Sequence, residues 1–292
     1  MRTNDFACLI LTHGRAGNVK TYDTLKRMGY TGRIVLVIDN EDEQEDKYRK
    51  IYGSENIYVF DKQKYLDLSD VADAGGTRKV ILPARNACFD IANDLGLQYF
   101  LELDDDYLGF LHRYEENGSL KSNKLKEGQL DRIFDEYCDF LETSGALTVC
   151  FSQGGDFVLG LDSNVWKRRI SRKAMNAFFC KTLRPFKFFG RLNEDVTTYV
   201  LYGTRGELMF TIADIMLTQP ITQANAGGIT DAYLKLGTYT KSFYSVIHAP
   251  SCVKISAMGW HDYRIHHNVI WNNCTPKIVN QKHQKPRALV NL

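Results

Sequence analysis

The chain has 292 residues, 44% of them hydrophobic and 12% aromatic, with a formal net charge of +2. This is an ordinary globular composition with enough apolar material for one large domain, or a domain with an appended lobe. No apolar run approaches the roughly 20 residues of a membrane span, and seven cysteines without a C-x-x-C pair argue against a disulfide framework or a structural zinc site. The expectation is a soluble, untargeted, cytoplasmic protein with no membrane partner.

In chain order, "FACLILT" reads as a buried strand, "NVKTYDTLKRMGY" as a helix, "GRIVLVID" as a strand, "EDEQEDKYRKIYG" as a helix and "NIYVF" as a strand. This β-α-β-α-β alternation is the signature of a mostly parallel sheet covered by helices. A helix from about Val80 to Leu95 follows, with Pro83 tolerated near its start, and then the buried strand "QYFLEL". After Lys126 come the helix "QLDRIFDEYCDFLETSG" and the strand "ALTVCFS". Further on, "NEDVTTYVLYGTRG" reads as a helix, "ELMFTIADIML" and "CVKISAM" as strands, and Lys277, Lys282, Lys285 and Arg287 as a basic tail. No internal repeat or low-complexity linker is visible, so the expected fold is one α/β domain with a C-terminal elaboration.

Charge is distributed unevenly. Between Ser163 and Asn193 there are nine Lys or Arg residues and no Asp or Glu, interleaved with Trp166, Phe178, Phe179, Phe186, Phe188 and Phe189. Such a surface suits a polyanion whose bases stack on rings. Lys167, Arg168, Arg169, Arg172 and Lys173 are the candidate phosphate contacts, although a basic helix that only solubilises has the same composition. Six acids between Asp39 and Asp46 form the opposite patch, as many solvated helix faces do.

Asp104, Asp105 and Asp106 stand side by side at the end of "QYFLELDDD". Alone, such a triplet reads as a solvated turn. At the carboxyl end of a central strand it falls where open α/β sheets bind ligands. Adjacent carboxylates repel, so a cation belongs there, and hard oxygen donors suit Mg²⁺ or Mn²⁺ bridging a diphosphate. Strand alternation would turn Asp104 and Asp106 toward one ion and Asp105 elsewhere, toward a sugar.

A βαβ nucleotide-binding half, a D-x-D at a strand end, the later pair Glu194 and Asp195 at a helix start and a late histidine together resemble the GT-A glycosyltransferases, which move sugars from nucleotide-diphosphate donors. The resemblance implies a mixed, mostly parallel sheet flanked by helices, with 1–106 as the nucleotide-sugar half and 107–292 as the acceptor half containing the basic segment 163–193. It further implies that Thr12 and Arg15 line the donor pocket, that Asp39 meets the base or ribose, and that Arg78, Arg85 and Asn86 face the diphosphate or sugar. A surface-loop role for Arg78 and a cap role for Asp39 are the plainer readings. Asp195 would be the base that deprotonates the acceptor, with Glu194 second, although acids also favour a helix start for electrostatic reasons. Among the late histidines, His248 reads as structural, and His266 or His267 would complete the metal shell.

More narrowly, "PARNACFDIANDLGLQYFLELDDDY", "ITQANAGGITDAYLKLGTYTKSFYSVIHAPSCVKI" and "RIHHNVIWNNCTPKIV" resemble the TET-associated glycosyltransferases, encoded largely by bacteriophages, which attach sugars to hydroxymethylated pyrimidines in DNA. This implies a UDP-sugar donor such as UDP-glucose, 5-hydroxymethylcytosine in DNA as acceptor, and Gly227, Gly228 and Asp231 beside that acceptor. A glycosyltransferase acting on a protein or glycan, a nucleotidyltransferase on the same scaffold and a DNA-binding module with a decayed site are the competing readings.

Overall fold

A computed structural model describes residues 4–69, 78–220, 238–258 and 264–275, together with residue 281. Gly227, Gly228, Asp231 and the basic tail lie outside the described residues. The N-terminal half runs β1 (Phe6–Leu11), α1 (Lys20–Arg27), β2 (Arg33–Asp39), α2 (Glu45–Tyr52), β3 (Ile57–Phe60), α3 (Lys62–Leu66), α4 (Leu82–Asp94) and β4 (Tyr99–Asp104). A hairpin, β5 (Gly109–Glu116) and β6 (Ser119–Lys124), precedes α5 (Gln129–Ser144) and β7 (Thr148–Gln153). Then come α6 (Asn164–Arg168), β8 (Ile170–Ser171), β9 (Phe178–Lys181), α7 (Glu194–Thr204) and β10 (Met209–Thr218). The last described elements are α8 (Thr238–His248), β11 (Val253–Met258), β12 (Arg264–Val269) and α9 (Trp271–Cys274).

One sheet takes in β1 to β10, in the order β3-β2-β1-β4-β9-β7-β10-β5-β6 with β8 beside β10, and β11 pairs with β12 separately. Strands β3, β2, β1 and β4 are mutually parallel, β9 is antiparallel to both β4 and β7, and β10 is parallel to β7. The fold is thus the expected mixed, mostly parallel sheet flanked by helices. Among the described residues no helix is long and apolar enough to cross a membrane.

All six residues of β1 are buried, as a parallel strand covered on both faces requires. Its alternate residues feed two cores. Phe6, Cys8 and Ile10 join Leu25 of α1 and Phe134 of α5, while Ala7, Leu9 and Leu11 join Cys88 and Ile91 of α4 and Val196 of α7. The same alternation governs β4, where Tyr99, Leu101 and Leu103 belong to the first core and Phe100 to the second. By that register Glu102 and Asp104 also face α4.

Three features depart from the sequence expectation. Helix α2 begins at Glu45, not at Glu41, because Asp42 is spent in a loop where its carboxylate accepts the main-chain N–H of Gly14 and Gln44 at 2.7 and 2.9 Å. The β5–β6 hairpin was missed although Asn117-Gly118 sits between its last pair, Glu116 and Ser119, with both residues in the left-handed region (φ 52° and 70°). Asn-Gly flanked by strands is the strongest short-range hairpin signal. The aromatic residues of 163–193 are also not a stacking surface. Phe178, Phe179, Phe186 and Phe188 lie in the two cores, and Trp166 packs on Phe157 in a smaller third cluster.

Gly203 lets α9 dock on α7: a Cβ built there would lie 2.9 Å from the main-chain oxygen of Cys274. Gly203→Ala is therefore expected to destabilise the fold by about 1–3 kcal/mol through overpacking. Denaturant unfolding checks this, with Gly118→Ala as a comparison in open space but in a left-handed conformation.

Candidate active site

Strands β1, β2, β3 and β4 all present their carboxyl ends to one cleft of about 560 Å³, whose lining includes Thr12, Asp39, Phe60 and Asp104. The chain crosses from β1 outward to β2 and β3, then returns to place β4 on the other side of β1. That reversal is the switch point at which open α/β sheets bind ligands. Lengthening the walls are Arg15, Asp105 and Asp106, and from the second half Asn176, Asn193, Glu194, Asp195 and Lys241.

Arg85 ties the two sides of the cleft together. Its side chain is 2% exposed, and its guanidinium donates to Glu102, to Asp104 Oδ1 (3.1 Å) and to Glu194 Oε1 (3.0 Å). Phe178 and Phe188 pack against it, with ring centroids 5.1 and 5.7 Å from the guanidinium carbon. Burial alone would depress its pKa, but Asp104, Glu102 and Glu194 outweigh that and hold it well above the ordinary value. Arg85 lines the cleft, and every branch of its fork is bonded to a carboxylate.

One guanidinium does not balance three carboxylates. Burial pushes Glu102 and Asp104 up to about 7, against the opposing pull of Arg85, and Glu102 Oε2 has no hydrogen-bond partner among the described residues. Burial also raises Glu194, with Arg85 opposing it and Asp195 adding to it. Glu102 was not singled out in the sequence, yet a glutamate inside the buried strand "YFLELD" was a legible signal.

Strand β4 ends at Asp104, so Asp105 and Asp106 form a turn and simple alternation does not reach them. Asp105 turns toward β1, where Thr12 Oγ1 donates to it at 2.7 Å and Arg15 makes an ion pair. These contacts fasten the β1 and β4 ends together, and Asp105 also lines the cleft. The turn is pinned from α1, since Thr21 Oγ1 donates to Asp104 O (2.6 Å) and accepts from Tyr107 N (2.9 Å). Burial raises Asp106 too, opposed by Arg15 and Lys20.

Asp39 is buried at the end of β2, 2.9 Å from His13 Nδ1 and 3.3 Å from Lys62 Nζ. Burial works against its ionisation, but His13 and Lys62 prevail and keep its carboxyl below the usual range. Both side chains line the cleft, and neither was singled out in the sequence. Arg78 instead pairs with Glu41 on the surface and donates to Gln63 Oε1 at 2.8 Å, and it does not line the cleft. Asn86 faces away, clipping the main chain of Phe188 through both ends of its carboxamide (2.8 and 3.3 Å).

On the other wall, Asp195 Oδ1 accepts the N–H of Val196 at 2.7 Å, whereas Glu194 is committed to Arg85. Neither late histidine lines the cleft. His267 Nδ1 lies 3.3 Å from Asn193 Nδ2, and His266 Nδ1 lies 2.7 Å from the main-chain oxygen of His267. Among the described residues no three His, Cys, Asp or Glu side chains form a metal-holding group. The donor chemistry still fits a divalent cation, because Asp104 and Asp106 line the cleft with raised pKa values and Mg²⁺ sites often use one or two carboxylates plus substrate phosphate oxygens.

Three of the five candidate phosphate contacts in the basic segment pair with acids from outside it. Lys167 pairs with Asp162 (2.7 Å), Arg169 with Asp214 (2.6 Å) and Lys173 with Asp156 (2.6 Å), while Arg172 donates to Glu207 O (2.8 Å). Arg169 also stacks on Trp166, and Arg168 is exposed. Four of the five candidate phosphate contacts are thus engaged within the fold.

A family model described as TET-Associated Glycosyltransferase matches residues 6–228, three quarters of the chain and all of the cleft walls except Lys241. The chain belongs to the TET-associated glycosyltransferase family. The matched region takes in Gly227 and Gly228 and stops before Asp231. No functionally curated protein matches this family member. Among solved structures it is similar to the S. aureus TarS fragment 1–349 in complex with UDP, at 10% identity and TM-score 0.43, covering 84% of this chain and 65% of that one. It is also similar to glucosyl-3-phosphoglycerate synthase from Mycobacterium tuberculosis with Mg²⁺ and UDP, at 9% identity and TM-score 0.46, covering 91% and 88%. A third is the mannosyltransferase PcManGT from Pyrobaculum calidifontis with GDP-Man and Mn²⁺, at 10% identity and TM-score 0.44, covering 85% and 74%. The chain spans less than two thirds of the TarS fragment.

Two outcomes follow from the site's electrostatics. Arg85→Ala strands the buried carboxylates of Glu102 and Glu194 and the partly buried one of Asp104, and is expected to cost about 3–5 kcal/mol in denaturant unfolding, more than Arg78→Ala on the surface. Glu102 and Asp104 have folded pKa values raised to about 7, so their contribution to stability is complete below the unfolded carboxylate range and is lost as pH rises through about 7. Added Mn²⁺ should therefore raise the thermal midpoint more at about pH 8 than at about pH 5.5, and Asp104→Asn should abolish the effect. A shift independent of pH and of Asp104 contradicts the assignment.

Proposed function

We propose that this chain transfers a sugar from a UDP-sugar, with UDP-glucose the first candidate, to the hydroxymethyl group of 5-hydroxymethylcytosine in DNA. Membership of the TET-associated glycosyltransferase family supports the reaction class and the acceptor. The observation that carries the mechanism is the convergence of the Asp104–Asp106 turn and the Glu194–Asp195 helix start on one cleft at the carboxyl ends of the parallel strands.

In this reading residues 1–106 hold the donor and 107–292 the acceptor. Asp39, fixed by His13 and Lys62, faces the nucleoside, and Thr12 and Arg15 shape the pocket through Asp105. A divalent cation, Mn²⁺ or Mg²⁺, held by Asp104 and Asp106 would neutralise the diphosphate as it departs. Asp195, free of Arg85, takes the proton of the acceptor hydroxyl while that oxygen bonds to the anomeric carbon and the bond to UDP breaks. Gly227, Gly228 and Asp231 belong to the acceptor side by the family resemblance. Of the basic segment's candidates, Arg168 is exposed and is the first choice for a contact with the phosphate backbone.

The test is UDP release in the presence of Mn²⁺, a UDP-sugar panel and duplex DNA with or without 5-hydroxymethylcytosine. Release should depend on the modified base and should fall about 10²–10⁴-fold in Asp195→Asn with donor affinity retained. Activity undiminished in Asp195→Asn removes it as the base. Release that requires a glycan or protein, and ignores the DNA, replaces the acceptor.

A further inference from the structure

Asn193 caps the start of helix α7; it is 2% exposed, lines the cleft immediately before Glu194 and Asp195, and holds φ at 58°. Asparagine is among the few residues with a side chain that tolerate this left-handed conformation, which turns the chain sharply into the helix. Its carboxamide is fixed from behind. Nδ2 donates to Ser245 Oγ of α8 at 2.6 Å and lies 3.3 Å from His267 Nδ1 of β12, while Ser245 Oγ meets Thr197 Oγ1 at 3.0 Å.

His267 is suited to receive that bond. A neutral imidazole keeps one nitrogen as an acceptor, and Nδ1 is the ring nitrogen beside Asn193 Nδ2. With Nδ2 committed to α8 and β12, the other end of the carboxamide is Oδ1. It is buried and has no hydrogen-bond partner among the described residues. A buried amide oxygen left without a donor costs stability, and a ligand that brings one recovers it.

We propose that Asn193 Oδ1, oriented by Ser245 and His267, reads a hydrogen-bond donor on the sugar acceptor and so sets its base specificity. This rests on the acceptor reading above. At the position beside the hydroxymethyl group, cytosine carries an exocyclic amine that donates, whereas uracil carries a carbonyl oxygen that only accepts. Asn193 therefore matches 5-hydroxymethylcytosine and opposes 5-hydroxymethyluracil, whose oxygen would face Oδ1 with no proton between them. Sites built to bond a substrate N–H discriminate strongly against analogues lacking it, because the buried partner is left unsatisfied.

The experiment compares kcat/KM for two duplexes of identical flanking sequence, one with 5-hydroxymethylcytosine and one with 5-hydroxymethyluracil, using the full chain, Mn²⁺ and a UDP-sugar panel. Wild type is expected to favour the cytosine by about tenfold or more. Asn193→Gly, which keeps the left-handed turn, should bring the ratio close to one, and His267→Leu should lower it part-way. His267→Leu leaves the start of α7 intact and carries the test should Asn193→Gly not fold. Equal rates on both bases in wild type, a uracil preference, or a cytosine preference that survives both substitutions overturns the assignment while glycosyl transfer stands. Transfer to neither base by wild type removes the acceptor reading, and the assignment falls with it.

Discussion

The buried guanidinium of Arg85 is the constraint on which the cleft depends. It is carried by α4, and its three carboxylate partners come from the middle of β4, the end of β4 and the first turn of α7. The two walls of the cleft are therefore not independent surfaces: Asp104 and Glu194 share one cation. A planar, always-charged fork with several donors can serve three acceptors at once in a way a lysine cannot. Phe178 and Phe188 exclude water from the guanidinium, which strengthens each of these bonds.

That arrangement also explains the site's excess negative charge. Six carboxylates, Glu102, Asp104, Asp105, Asp106, Glu194 and Asp195, surround Arg85 and Arg15, and burial raises the pKa of all those for which a shift is resolved. Held together without further cations, such a cluster costs stability near neutral pH. The fold nevertheless concentrates these acids at the switch point between β1 and β4, where a bound cation and a diphosphate would offset one another's charge. Asp39, by contrast, already has His13 and Lys62 and is ionised throughout the neutral range. The cleft thus has a balanced end at Asp39 and an unbalanced end at the Asp104–Asp106 turn.

Much of this was legible in the sequence because the signals were local. Buried strands such as "FACLIL" and "RIVLVID" announce themselves by unbroken apolar runs, and the position of Asp104 at a strand end follows from the run before it. Asp195 and Glu194 were likewise placed by the helix they open. What failed depended on contacts distant in sequence. The partners of Arg85 stayed hidden because nothing in "PARNA" reveals Glu102 or Glu194, 17 and 109 residues away. The segment 163–193 looked like a nucleic-acid surface because Asp156, Asp162 and Asp214 lie outside it, and because an aromatic ring reads alike in sequence whether it is core or surface. His13 and Lys62 became visible only once β1, β2 and β3 stood side by side.

The most direct test of the account is the mass of the nucleosides recovered from duplex DNA containing 5-hydroxymethylcytosine after incubation with the protein, Mn²⁺ and a panel of UDP-sugars. The account predicts that the modified nucleoside alone gains the mass of one sugar residue. Recovery of every nucleoside at its original mass, with no donor consumed, would contradict it.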